Sequence, residues 1–548
     1  MSKVKLGDLL ILKGLISEKQ LRLAMNQQKV TGDLLGDTFV KLGFVSSNEI
    51  VQALAEQEGL EFVDLKDYPI SEEALKLIPK DTAVSAEFIP LDIDEGRLCI
   101  GIINPSNIHA VDAVTRLTQK QPKVYMVDRD IFHEVLGKAF FFLENPIQQR
   151  IDDTIKEIRA TGAATGAALS SLTDLIIIDG IKRKASDIHI NSTAELVHVF
   201  YRIDGVLQHG HCIPMAAQKG IISRIKILSQ IDIAEQRLPQ DGSFTFTFLN
   251  KTYDIRVSTI PTIYGENVVM RVLAGSGRLL RLEKLGFDDA NTKKIKRLFS
   301  KPHGIILITG PTGSGKTTTL YSALREIDVI ERNVLTVENP VEYKISLIKQ
   351  TQVNEKTGYG FALAVRNFMR QDPDVILLGE IRDEETAKIA IRASTTGHLV
   401  LSTLHANDAI TAIPRLIDLG IDRFQISSCL LAVISQRLVR KICKYCKTKY
   451  ELDNDAILNL KAYGNPLTSA FKGTGCPKCN GTGYAGRTVI GEILVVDDEI
   501  RELIYANAST NTMKSAAMKK GMRSLMEEAI RKVSEGLTTV EEVTRVIE

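Results

Sequence analysis

The run Gly310-Pro311-Thr312-Gly313-Ser314-Gly315-Lys316-Thr317 holds the strongest chemistry in the chain. It follows the apolar segment GIILIT and precedes the helical segment TTTLYSALREI, the context a phosphate-binding loop requires. Its glycines let backbone N–H groups turn inward around phosphate oxygens, and the helix that follows adds the positive end of its dipole. Lys316 would reach the β- and γ-phosphates of a nucleotide. The Thr317 hydroxyl, with Thr318 beside it, would ligand Mg²⁺.

Such a loop needs an acid at the end of a neighbouring strand, and DPDVILLGEIRD supplies one. Val375–Leu378 reads as the strand, with Glu380 at its carboxyl end to hold Mg²⁺ or its water. Arg382 or Asp383 would support it. Asp372 and Asp374 precede the strand and belong to the opposite edge. VLTVENPVEY gives another strand, ending in Glu338, Asn339 and Glu342, where a carboxylate would polarise the attacking water. GHLVLSTLHAND places His398 before a strand and His405 just past it, on the side where ligands bind in such sheets. A purely structural role for His405 stays open.

Cys443-Lys-Tyr-Cys446 and Cys476-Pro-Lys-Cys479 are two CxxC knuckles, and four thiolates match a closed tetrahedral zinc site. Redox chemistry is the competing reading. Cys99, Cys212 and Cys429 sit in apolar surroundings and are expected in the core.

The elements that must position these groups follow from the residue pattern. The chain has 548 residues and a formal charge of +2, from 69 basic and 67 acidic residues. That length implies several domains, and so balanced a charge gives no footprint for nucleic acid. No run of roughly 20 apolar residues is present to span a membrane, and the first residues lack a cleavage site. The reading is therefore cytoplasmic. Residues 1–145 form a first domain containing an internal repeat: 5–28 align with 34–57. Gly14 and Gly43 would stop one helix in each copy, and Ser17 and Ser46 would cap the next. Residues 60–140 read as a small α/β unit. The stretch 146–171 reads as a linker around ATGAATGAALSS. Residues 172–275 are a sheet-rich second α/β domain. Residues 276–548 alternate buried strands and helices as a doubly wound, RecA-like P-loop domain, with a tetracysteine module at 440–485 and a helical C-terminus.

With these motifs the chain resembles the type II secretion and type IV pilus assembly ATPases. GPTGSGKTTTLY, VENPVEY, RQDPDVILLGEIRD and TGHLVLSTLHANDA look like that family's Walker A, Asp-box, Walker B and His-box signatures. ASDIHI, RIDGVL, RLPQDG and GENVVMRVL look like its preceding domain. The resemblance implies ATP and Mg²⁺ at Lys316 and Thr317, Glu380 as Walker B acid, Glu342 as the carboxylate that activates water, and His405 as second histidine of the His box. It implies that Arg256 and Arg271 reach phosphate, that the four cysteines hold zinc, and that the chain works as a homohexamer. The partners implied are an inner-membrane platform protein and assembly proteins of the cytoplasmic membrane, and the membrane association is peripheral. Asn339 stands where an Asp is usual, Phe200 and Gln236 where arginines are expected, and Ser243 after QDG likewise. The repeat is similar to a cyclic di-GMP-binding domain, with candidate residues Lys5, Leu6, Gly7, Gly14 and Gln28 in one copy and Leu34, Leu35, Gly36, Gly43 and Gln57 in the other. Lys5 replaces a leading Arg. ENPVEYKI, TTTLYSAL and SQRLVRKIC lean towards the secretion branch. The competing function is a nucleotide-gated regulatory or scaffold subunit with little turnover.

Overall fold

The computed structural model describes residues 4–66, 68–161, 165–274, 280–453, 457 and 467–547. The chain divides into two units: Met1–Ser17, Leu34–Asp37 and Val45–Gly277 form one, and Glu18–Asp33, Thr38–Phe44 and Arg278–Glu548 the other. The boundary expected between 275 and 276 lies outside the described residues, as do 162–164 of the expected linker.

The repeat folds as four helices: α1 Leu6–Leu12, α2 Glu18–Thr31, α3 Leu35–Lys41 and α4 Ser47–Gln57. Gly14 and Gly43 both lie in the left-handed region, at φ +64° and +75°, which ends α1 and α3 where the sequence indicates. Ser46 caps α4 in a reciprocal box with Glu49.

The first unit holds two sheets. β1 Glu61–Phe62, β2 Phe88–Asp94, β3 Arg97–Ile102 and β4 Lys123–Met126 make a four-stranded sheet in the order β1-β4-β3-β2. β5 Asp187–Ser192, β6 Leu196–Ile203, β7 Val206–Pro214, β8 Gln240–Phe248, β9 Lys251–Thr262 and β10 Gly265–Ala274 make an antiparallel sheet in the order β7-β6-β5-β10-β9-β8. Along β6, Val197, Val199 and Tyr201 are buried while His198, Phe200 and Arg202 face outward, the period of a half-buried strand. The expected linker corrects to two helices, Ile147–Thr161 and Gly166–Lys182. Ile147, Ile151, Ile155 and Ile158, three or four residues apart, are buried in the same apolar core as the sheet's inner face. That stripe makes 147–158 part of the fold, while the small-residue run that suggested a linker begins only at 160.

In the second unit, β11 Gly304–Thr309, β12 Val334–Glu338, β13 Lys349–Gln352, β14 Val375–Leu378, β15 Leu399–Leu404 and β16 Leu430–Ile442 run parallel. With β19 Tyr484–Val495 antiparallel at the edge, the order is β13-β12-β14-β15-β11-β16-β19. β11, β12, β14 and β15 are buried at every residue because helices cover both faces. β17 Lys447–Glu451 and β18 Ser469–Gly473 pair as a small separate ribbon. Among the described residues, no helix is long and apolar enough to cross a membrane.

Candidate functional site

β11 lies between β15 and β16, and β14 between β12 and β15. Parallel register therefore delivers Gly310, Glu380, His405 and the residues after Glu338 to one carboxyl edge. The loop from Gly310 to Gly315 leads into the helix Lys316–Leu324. Gly310, Gly313 and Gly315 adopt φ of +140°, +78° and +87°, conformations that let the backbone fold its N–H groups inward. A Cβ at Gly310 would come within 2.5 Å of the Gln436 carbonyl oxygen. Lys316 Nζ donates to the carbonyls of Gly310 at 2.8 Å and Pro311 at 3.0 Å. Burial lowers the pKa of its ammonium; Glu380 opposes this and Arg437 adds to it. Pro311, Thr312 and Gly313 are exposed at the rim, whereas Ser314 is buried. Ser314 Oγ has no hydrogen-bond partner among the described residues. An inward-turned loop with a cation and an unsatisfied buried hydroxyl fits a nucleotide phosphate with Mg²⁺, which Lys316 and Thr317 would hold.

Glu380 follows β14 and is paired with Arg382 at 2.6 Å, its own side chain only 16% exposed. Asp374 accepts from the backbone N–H of Asn333 at 2.7 Å, ahead of β12 and β14, so it tidies the opposite edge as expected. His398 is likewise occupied: Nδ1 lies 2.9 Å from the Ala393 carbonyl oxygen. His405 is exposed past β15. Partial burial lowers its pKa, Lys316 lowers it further, and Glu380 pulls the other way, which puts all three groups in one electrostatic neighbourhood.

The glutamates at the end of β12 and just past it differ sharply. Glu338 is buried, accepting from Thr336 Oγ1 at 2.7 Å and from the Tyr321 hydroxyl. Tyr321 Oη also accepts from the Tyr343 N–H at 3.4 Å, and Gln350 Nε2 donates to the Tyr343 carbonyl at 2.8 Å. Glu342, on the segment those bonds hold, is exposed. Tyr321, Gln350 and Gln436 went unnoticed in the sequence. Gln436 Nε2 donates to the Ser314 carbonyl at 2.8 Å and so ties β16 to the loop. A Gln between Ser435 and Arg437, interrupting the apolar run in LLAVISQRLV, was the only signal for it.

Three other groups of expected site residues lie elsewhere. Arg256 on β9 and Arg271 on β10 are register partners on the outer face of the antiparallel sheet, both exposed. Arg271 Nε donates to Asp187 at 2.9 Å. Burial raises the pKa of the Asp187 carboxyl, but the hydrogen bonds from Arg271 and Ser186 outweigh it and the net shift is downward. In the tetracysteine module, Cys443 and Cys476 sulfurs are 3.8 Å apart, Cys446 and Cys479 3.8 Å, and Cys476 and Cys479 3.7 Å. Four sulfurs about 2.3 Å from one zinc ion at tetrahedral angles would stand about 3.8 Å apart. The Cys479 sulfur also accepts the N–H groups of Cys476 and Gly483, as a metal-bound thiolate does. In the repeat, Gln28 Nε2 donates to the Asp33 carbonyl at 3.0 Å, just before motif residue Leu34. Gln57 Nε2 donates to the Val4 carbonyl at 3.1 Å, just before Lys5. The same bond recurs at equivalent positions of both copies. Leu6 packs where a Cβ on Gly36 would lie, at 3.6 Å, while Gly7 is buried and Lys5, Gly14, Leu34 and Gly43 are exposed. Leu35 is half-buried.

A family model described as Type II/IV secretion system protein matches residues 163–545, both the antiparallel-sheet domain and the P-loop domain. The chain belongs to this family. The Type IV pilus assembly ATPase PilB of Myxococcus xanthus is 38% identical over 98% of this chain and 98% of its own. Type II secretion system protein E of Xanthomonas campestris is 37% identical over 93% of this chain and 92% of its own. Identity therefore does not separate the two branches. The Legionella pneumophila ATPase DotB covers 68% of this chain at TM-score 0.50 and 23% identity, a likeness of fold. An MshEN domain model matches 58–140, the α/β part that follows the repeat. As a type II/IV secretion family member, the chain is an ATP-hydrolysing P-loop enzyme of the secretion and pilus assembly class.

Proposed function

We propose that the chain is a homohexameric motor that converts ATP hydrolysis into assembly of a pilus or pseudopilus through an inner-membrane platform protein. The observation that supports this best is the meeting of Lys316, Glu380 and His405 at one carboxyl edge. In this reading Lys316 and the N–H groups of 310–318 hold the phosphates. Thr317 and Glu380 hold Mg²⁺, which screens the phosphate charge when bound. Glu342 takes a proton from the attacking water, and His405 senses the γ-phosphate. Arg256 and Arg271 bring positive charge to the transferring phosphoryl group when the antiparallel-sheet domain closes on a P-loop domain of the ring. The four cysteines hold structural zinc, and the N-terminal repeat binds cyclic di-GMP to set when the ring turns over. The enzyme is cytoplasmic and attaches to the inner membrane through its partners.

Malachite-green phosphate release by wild type and Lys316→Ala tests the motor reading. Wild type releases phosphate and the variant falls to background. Equal background release from both proteins would instead favour a nucleotide-gated scaffold, the reading that Asn339 raises. Arg271→Ala should lower kcat by about 10²–10³-fold, as loss of a transition-state donor does.

A further inference from the structure

Cys212 is not a core residue. It is half-buried on β7, in a cluster with His198 of β6 and His209 of β7. His198 Nδ1 lies 3.3 Å from His209 Nε2, and Cys212 Sγ lies 3.6 Å from His198 Nδ1 and 3.4 Å from His209 Nε2. Zinc bound at about 2.0–2.1 Å to nitrogen and about 2.3 Å to sulfur, at tetrahedral angles, separates two nitrogens by about 3.3 Å and a nitrogen from sulfur by about 3.6 Å. The three atoms already stand at the corners of one face of such a tetrahedron.

The backbone shows how this arises. His209 and Cys212 are three residues apart, a spacing that in a regular strand puts them on opposite faces. The β6–β7 register breaks between Val199 and Phe200: Val199 pairs with His211, but Phe200 pairs with His209. Gly210 is the extra residue of a bulge, which resets the alternation so that His209 and Cys212 both face outward while His211 turns into the core. A side chain at 210 would meet the Tyr201 ring at 2.4 Å, so the bulge needs glycine. Cys212 then lies directly opposite His198, and His209 opposite Phe200. The Phe200 ring packs edge-on against His209, at 5.2 Å between centroids, and brings no charge to the cluster.

We infer that His198, His209 and Cys212 form a metal site for zinc, with three protein ligands and a fourth position supplied by solvent. β7 is the edge strand and His209 is exposed, so the ion enters directly from water. Binding releases the Cys212 thiol proton to the buffer and leaves a thiolate–zinc bond. The site is separate from the tetracysteine module, which belongs to the other unit of the chain.

The test uses full-length protein loaded with zinc sulfate under reducing conditions and freed of excess metal by gel filtration. Wild type should carry about one zinc per chain more than His209→Ala/Cys212→Ser, because metal at the tetracysteine module is common to both and cancels. All three groups lie on the sheet's outer face, so the double variant leaves the core intact, which circular dichroism checks. In wild type, zinc should also slow alkylation of Cys212 by iodoacetamide at least tenfold, read from the mass of its peptide. Equal zinc content in the two proteins overturns the site. An alkylation rate unchanged by zinc overturns Cys212 as a ligand and with it the three-ligand site.

Discussion

Glu338 ends β12 and Glu342 follows it four residues later, yet their surroundings differ. Glu338 is buried and receives hydrogen bonds from Tyr321 and Thr336, whereas Glu342 is exposed. On the proposed role of Glu342, Glu342→Gln keeps the shape and removes the base. It should lower kcat by about 10²–10⁴-fold with little change in the ATP KM, measured by phosphate release. Tyr321→Phe instead removes a donor from a buried carboxylate and frees the segment that carries Glu342. It should cost about 1–3 kcal/mol in chemical denaturation. If Tyr321→Phe proves neutral in stability, the Tyr321–Glu338 bond is not what anchors that segment.

At the level of elements, the helix Ile147–Thr161 decides whether the first part of residues 146–171 is linker or fold. Ile151 is fully buried beneath the antiparallel sheet, so Ile151→Ala should cost about 2–5 kcal/mol, whereas a linker position would cost almost nothing. The C-terminal helix Val540–Ile547 is fixed to β16 through Glu542, whose fully buried side chain binds Arg440 at 2.7 Å and Arg545 at 2.6 Å. Burial raises the pKa of this carboxyl, but the hydrogen bonds from Arg545 and Arg440 outweigh it, so its folded value lies below the usual 4.5. A carboxyl depressed on folding contributes stability that is fully present above about 4.5 and is lost as pH falls through the folded value. Wild type minus Glu542→Gln stability should therefore shrink on acidification from pH 6 towards pH 3. A difference that holds constant across that range would rule out this linkage.

For the whole molecule, Gln28 and Gln57 make equivalent bonds in the two copies of the repeat, and the proposed cyclic di-GMP binding puts both to the test. Calorimetry of the full chain with cyclic di-GMP should give saturable heat, and Gln28→Ala and Gln57→Ala should weaken it by similar factors. No heat at high micromolar ligand would refute the binding. What could be read in the sequence is what lies close together along it. The phosphate loop, both CxxC knuckles, the glycines that stop α1 and α3, and the acid and histidine after β14 and β15 each declare themselves within a dozen residues. Backbone conformation and strand direction are local properties, and parallel strands automatically gather their carboxyl ends. Tertiary structure alone decided the rest. Gln436 reaches Ser314 only because β16 lies beside β11, and Tyr321 reaches Glu338 only because the fold brings the loop helix to the end of β12. His198, His209 and Cys212 share a face only because one bulged glycine shifts the register between two strands, and no spacing along the chain records that shift.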